Sequence, residues 1–209
     1  MSLLATLRES RQVNPDMTAP SHQPASLFFL SDRHRAPDWR AALRRGGPNC
    51  GLILRDYDAP DRAALAEDMR IACRAEKRFF AIADDRKLAA RMGAAFHCPS
   101  YLLRRPLRHG LLGSLGPHDT AAVHNEGELI AAARAGFRRV FISPIFPTRS
   151  HIGQVALGPV RARRLACHAR ALGLVPLALG GLDAKRLKRL NGAAAVFYGL
   201  GAIDAFAAR

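Results

Sequence analysis

The sequence predicts an α/β protein, a single-domain (β/α)8 barrel. Three observations carry that prediction. Eight short apolar runs alternate with segments of helical apolar spacing, the pattern of parallel strands joined by crossover helices. The last three runs pass into loops rich in glycine, proline or polar groups: Val140–Ile142 into the loop ending at His151, Leu177–Leu179 into Gly180–Asp183, and the run at Val196 into Gly199-Leu200-Gly201. No G-x-G-x-x-G follows the first run, which weighs against a doubly wound dinucleotide fold.

In chain order, residues 1–25 carry Pro15, Pro20 and Pro24 and are expected to form a flexible peripheral arm, with the barrel in residues 26–209. Leu27–Leu30 is the first strand, apolar on both faces as a barrel strand must be, and it leaves through Ser31-Asp32-Arg33. A helix over Pro37–Arg45 is stopped by Gly46-Gly47-Pro48. Gly51–Leu54 is the second strand, and the helix Asp61–Arg78 follows with Leu65, Met69, Ala72 and Cys73 at helical spacing. The third strand, Phe79–Ala83, leaves through Asp84-Asp85-Arg86. A helix over Lys87–Met92 and a fourth strand, Ala94–His97, come next. Residues 101–120 give no clear pattern.

The fifth strand, Thr120–His124, meets Asn125 as an N-cap with Glu128 three residues on, and Gly136 ends that helix after Ala135. Arg139–Ile142 is the sixth strand. A helix over Pro159–Leu172 has proline in its first turn and Gly173 behind it. Val175–Leu179, a helix over Asp183–Leu190, a strand over Ala194–Phe197 and a last helix over Ile203–Ala208 complete the barrel.

Composition narrows the function classes. With 49% apolar and 23% charged residues, the chain reads as a globular domain, and no apolar run approaches the ~20 residues of a membrane span. The start has no basic segment leading into an apolar h-region, so a cytoplasmic location is expected. Cys50, Cys73, Cys98 and Cys167 lack metal or redox spacing and are expected to be free thiols. The net charge of +15 is mostly arginine spread along helices, which reads as a solvated basic surface and not as a nucleic-acid site.

In a (β/α)8 barrel the chemistry sits at the C-terminal ends of the strands, with phosphate held by the loops after strands seven and eight. Gly180 and Gly181 lie after strand seven; Gly199, Leu200 and Gly201 lie after the expected strand eight, ahead of the short last helix. Glycine lets backbone N–H groups approach an anion closely, so these five positions are expected to bind a phosphate.

Several words of the chain then resemble one family: Leu27-Phe-Phe-Leu-Ser-Asp32, Leu54-Arg-Asp56, Asp84-Asp-Arg86, Val123-His-Asn125, Pro144-Ile-Phe-Pro-Thr148 and Ala178-Leu-Gly-Gly181. They are similar, in order, to those of the superfamily joining thiamine phosphate synthase with the TenI-type thiazole tautomerases. The resemblance implies thiamine biosynthesis, a small phosphorylated thiazole as substrate, and two branches of activity. The synthase joins a pyrimidine diphosphate to the thiazole phosphate with Mg2+ and releases pyrophosphate. Against its Gln-x-Arg-x-Lys pattern this chain has Ile53, Arg55 and Tyr57. Against Asn-Asp-Arg it has Asp84-Asp85-Arg86, leaving Asp85 as the one candidate Mg2+ ligand, and Ser100-Tyr101-Leu102 replaces the second acidic word. Ala122 and His151 stand where that branch has serine and lysine. Mg2+ prefers one or two carboxylates with substrate phosphates, and a diphosphate leaving group needs several cationic donors.

The tautomerase branch requires no metal or other cofactor. Its central histidine matches His124, a side-chain type suited to reversible proton transfer near neutral pH. The resemblance therefore implies His124 as catalytic residue and Arg55, Ser143, Thr148 and His151 as substrate-binding groups. Alternatives are the synthase itself and a non-catalytic phosphate-ligand binder. His97 and Cys98 point to opposite faces of a strand, which places His97 inside the barrel or at its mouth. Thr148–Leu157 reads as a closing lid, and the exterior helices leave room for a homodimer.

Overall fold

A computed structural model of the protein describes residues 26–104, 114–148, 155–190 and 196–206. Eight parallel strands close into a barrel in sequence order, with β1 also paired to β8. They are β1 Leu27–Leu30, β2 Cys50–Leu54, β3 Phe80–Ala83, β4 Ala95–Cys98, β5 Thr120–Val123, β6 Arg139–Ile142, β7 Val175–Leu179 and β8 Gly199–Ala202. The helices among the described residues are α1 Trp39–Arg45, α2 Arg62–Ala75, α3 Arg86–Met92, α4 Ser100–Leu103, α5 Glu126–Ala135, α6 Gly158–Ala171 and α7 Ala184–Arg189.

Strand alternation sorts the apolar residues into two cores. Phe28, Leu30, Ile53, Phe141 and Leu177 fill the barrel interior. Phe28 meets Phe141 edge-on with centroids 5.2 Å apart. Phe29, Leu52, Ile82, Val123 and Ile142 face outward, where they share a core with Met69, Leu129 and Leu165 of the helices. Carrying the inward rows two residues onward gives Arg55 after Ile53, Ser143 after Phe141 and Gly181 after Leu179. His124 takes the same place after Ala122, which lies between the outward Ala121 and Val123. The strand period alone thus gathers these groups at the C-terminal mouth.

Local capping fixes where the helices start. Asp38 accepts from the Ala41 N–H at 2.8 Å, Asp85 from Leu88 at 2.8 Å and Asn125 from Glu128 at 2.9 Å. Gly93 and Gly136 close α3 and α5 in the left-handed region. Cys50, Cys73 and Cys98 are buried thiols, each pushed up to about 12 by burial, and Cys167 is exposed. Among the described residues, no helix is long and apolar enough to cross a membrane.

The barrel agrees with the prediction, and β1, β6 and β7 have the predicted bounds. The long helix α2 stops at Ala75 instead of Arg78, and α4 begins at Ser100 and runs into the stretch that gave no pattern. The eighth strand is displaced: it is Gly199–Ala202, not 194–197, part of which lies outside the described residues. The cause is crowding. A Cβ on Gly199 would sit 2.4 Å from the Ser26 carbonyl oxygen, and one on Gly201 would lie within 3.1 Å of Leu30, Leu179 and Phe141. Only small residues fit the barrel seam there, so the strand lacks a strand-like sequence. Residues 204–206 form a turn where the last helix was expected, and the arm of residues 1–25 lies outside the described residues.

Candidate functional site

A cavity of about 300 Å³ opens among the C-terminal ends of β1, β2, β6, β7 and β8. Arg35, Arg55 and Arg186 bring three cations to its wall, against the two carboxylates of Asp183 and Asp204. Leu30, Leu179 and Ile203 form apolar parts of the lining. A pocket that is apolar below and cationic around the rim suits a small heterocycle carrying anionic groups.

The wall at β1, β2 and β8 is an ion network. Arg35 Nε donates to Asp32 at 2.7 Å, and its other end reaches Asp204 at 3.2 Å. Arg55 approaches the same Asp32 carboxylate at 3.9 Å, and its guanidinium lies 5.8 Å from the Tyr57 ring centre. Burial would raise the Asp32 carboxyl, but the hydrogen bond and charge of Arg35, with the N–H groups of Arg35 and His34, hold it below its usual range. The backbone is pinned as well, since Arg55 N–H donates to Ser31 Oγ at 2.9 Å and Arg33 N–H to Asp56 at 2.5 Å. Arg55 is therefore oriented by Asp32 and Tyr57, not by the neighbouring Asp56.

The opposite wall is made by two loops locked together. Gly180 and Gly181 have φ of +96° and +63°, a region closed to most side chains. A Cβ on Gly180 would lie 2.7 Å from Pro144 Cα, and one on Gly181 would lie 2.5 Å from the Pro147 carbonyl oxygen. Ile145 and Phe146 N–H groups donate to the carbonyls of Leu179 and Gly180 at 3.0 and 3.1 Å. The glycine pair is thus demanded by close approach of the β6 and β7 loops, and that approach shapes the cavity. Ser143 and Thr148 complete this wall.

His124 directly follows β5, half-buried beside this wall. Its Nδ1–H donates to the Ser143 carbonyl at 2.5 Å, and Ser143 Oγ lies 3.3 Å from the same nitrogen. Of the two neutral tautomers, that bond favours the one with its lone pair on Nε2. The His124 backbone is held by Glu128, a carboxylate only 3% exposed: one oxygen accepts the His124 N–H at 2.7 Å and the other accepts Arg104 Nε at 2.7 Å. Sequence spacing indicated Glu128 as half of a capping box, but its side chain reaches one residue further back and serves the histidine.

The β3–β4 side of the mouth is built differently. Asp85 is the N-cap of α3, with one oxygen on Leu88 N–H and the other 3.8 Å from Arg62. Asp84, at φ +66°, accepts a hydrogen bond from the Tyr101 hydroxyl. Arg86 turns away to the Ser114 carbonyl at 2.5 Å and to Asp119 at 3.6 Å. Among the described residues no group of three His, Cys, Asp or Glu side chains could hold a metal ion. With one oxygen in the α3 cap and the other beside the Arg62 guanidinium, Asp85 is a poorer Mg2+ ligand than a free carboxylate. His97 lies inside the barrel at 4% exposure, edge-on to Phe141 and 2.8 Å from Thr120 Oγ1. Burial, aided by the Arg55 charge, lowers its pKa to about 4.

The structure therefore brings Arg55, Ser143, Thr148, Gly180 and Gly181 to one cavity, with His124 one contact behind Ser143. It does not bring Gly199, Leu200 and Gly201 there. They belong to β8, where the Leu200 N–H is used by Ser26 and all three are buried; the strand exit at the cavity is Ala202–Asp204. His151 and most of the expected lid lie outside the described residues. Arg35, Arg186 and Glu128 are site or support residues that sequence reasoning missed.

Comparison with known proteins adds a family. The family model described as thiamine monophosphate synthase matches residues 29–199. A sequence comparison with curated proteins gives no match. Among solved structures, the thiamine phosphate pyrophosphorylase of Pyrococcus furiosus superposes with a TM-score of 0.66 at 16% identity, covering 86% of each chain. The enzyme of that name from Bacteroides thetaiotaomicron gives 0.52 at 16% identity, over 85% of this chain and 82% of that one. A deoxyribose phosphate aldolase from Aeropyrum pernix gives 0.56 at 14% identity, over 87% of each. At such identities these likenesses speak for the barrel alone.

Proposed function

Since the chain belongs to the thiamine monophosphate synthase family, we propose that it binds a thiazole phosphate carboxylate in the mouth cavity and isomerises it as a metal-independent thiazole tautomerase. The observation that carries this reading is the convergence of Arg55, Ser143, Thr148, Gly180 and Gly181 on one cavity beside His124. The phosphate sits against the Gly180–Gly181 loop. Arg55, held by Asp32, takes the carboxylate. His124 Nε2 accepts a proton from one position of the ring system and returns it at another, so the reaction balances with no second substrate. The Ser143 carbonyl stabilises the imidazolium formed between the two transfers by keeping Nδ1–H bonded. Proton transfer requires the ring to be seated at the β5–β6 edge of the cavity, next to Ser143.

The second reading is thiamine phosphate synthase, favoured by the description of the family model. It needs Mg2+ beside Asp85, and the capping role of that carboxylate counts against it.

The test is conversion of the thiazole phosphate carboxylate by the full chain with a chelator present, wild type against His124→Ala. Turnover that falls by about 10²–10⁴ in the variant supports the reading. No turnover by wild type overturns it. Product from pyrimidine diphosphate and Mg2+ would then point to the synthase, and saturable binding without product to a ligand-binding protein.

A further inference from the structure

The three arginines around the cavity are not equivalent. Arg35 is neutralised by Asp32 at 2.7 Å and by Asp204 at 3.2 Å. Arg55 shares Asp32 and lies against Tyr57. Among the described residues Arg186 pairs with one carboxylate, Asp183, at 3.7 Å, and the other oxygen of that carboxylate is occupied by the Arg186 backbone N–H at 2.7 Å. Arg186 also belongs to the glycine loop in space: its Nη1 donates to the Gly181 carbonyl at 2.9 Å and lies 3.4 Å from the Pro147 carbonyl. Its guanidinium lies 5.8 Å from the Phe146 ring centre. These contacts fix the fork in one orientation on the cavity wall, while Nη2 makes no hydrogen bond to a described residue. The side chain keeps 38% exposure, so a ligand entering the cavity can reach it.

From this we infer that Arg186 is a specificity-determining residue, the side-chain cation that makes the site select a phosphate ester over the corresponding alcohol. It rests on the reading of the Gly180–Gly181 loop as the phosphate end of the cavity. Two duties meet in one guanidinium. Nη1 ties the β7 loop to the β6 loop, and the remaining donors, with a charge balanced by one carboxylate more than half exposed to water, face a dianion. An arginine fork held rigid loses little entropy on binding phosphate, and it discriminates by charge where backbone N–H groups alone discriminate weakly.

The test measures the affinity of the full chain for the thiazole phosphate and for the dephosphorylated thiazole alcohol by titration calorimetry. It compares wild type, Arg186→Gln, Arg186→Lys and, as a surface-charge control, Arg170→Gln. Wild type is expected to prefer the phosphate ester. Arg186→Gln should weaken the ester by about 10- to 100-fold and leave the alcohol within about twofold. Arg186→Lys, which keeps the charge and loses the fork, should fall between, and it provides the readout if the glutamine variant does not fold. The control should bind as wild type does. Equal weakening of both ligands would mean that Arg186 only clamps the loops, and an unchanged preference would mean that it does not touch phosphate; either overturns the inference. A wild type without preference would instead overturn the phosphate reading of the loop itself.

Discussion

The two halves of the barrel mouth both carry charged groups and use them in opposite ways. On the side of β1, β2, β6, β7 and β8, Arg35, Arg55, Arg186 and Ser143 line a cavity. On the side of β3 and β4, Asp85 caps α3, Asp84 meets Tyr101, and Arg86 braces Ser114 and Asp119. A carboxylate that caps a helix has one oxygen engaged before any metal arrives. The polar words of the sequence are thus of two kinds, those aimed at solvent space and those consumed by the fold. Motif matching cannot separate them; hydrogen-bond partners can. The half that stays available is the half on which the proposed thiazole phosphate site rests.

The comparison can be broken or sharpened by mutation. The largest effect is expected at the loop contact. Gly181→Ala forces a side chain into φ +63° and against the Pro147 oxygen, costing about 1–2 kcal/mol from the backbone alone before the clash is relieved. Its melting temperature should fall and ligand binding should be lost with it; a variant that binds normally would separate the loop packing from the site.

Next comes a pH effect from the barrel interior. His97 is neutral in the fold down to about pH 4, whereas its unfolded-state pKa is near 6.5. The unfolded chain therefore binds more protons between these values. The stabilising contribution is fully present above pH 6.5 and is lost as pH falls toward 4, by about 3 kcal/mol in all. Denaturant midpoints across that range should show the slope, and His97→Asn should flatten it.

A smaller effect is expected from Asp85→Ala, which removes a helix cap and should cost about 1 kcal/mol of stability while leaving metal-free turnover unchanged. Loss of activity in that variant would return Asp85 to the chemistry. Tyr101→Phe should do least, below about 1 kcal/mol, because the Asp84 contact is exposed to water.

Sequence reading succeeded where one physical demand dominated. Runs such as Phe28–Leu30 and Val140–Ile142 are apolar because both faces of a barrel strand are buried, and Asn125 is polar because α5 needs a cap. It failed where neighbours set the residue. β8 is glycine-rich because Ser26, Leu30 and Phe141 already fill the space, so its sequence resembles a turn and Gly199-Leu200-Gly201 suggests a phosphate loop where a strand stands. The position of Gly180 and Gly181 at the mouth follows from their place after β7, but their close approach to Pro144 and Pro147 appears only in three dimensions. Arg186 carries no local mark among so many helical arginines; what sets it apart is the carbonyl of Gly181. Glu128 did carry a mark, as the third residue of α5, and only its partner was misjudged.

The most direct measurement is the affinity of the full chain for two ligands, the thiazole phosphate carboxylate and the pyrimidine diphosphate, each with and without Mg2+. The account predicts binding of the thiazole phosphate that ignores the metal, and binding of the diphosphate that is weak with or without it. Tight, Mg2+-dependent binding of the diphosphate would contradict the account, because the β3–β4 half of the mouth would then be a working site.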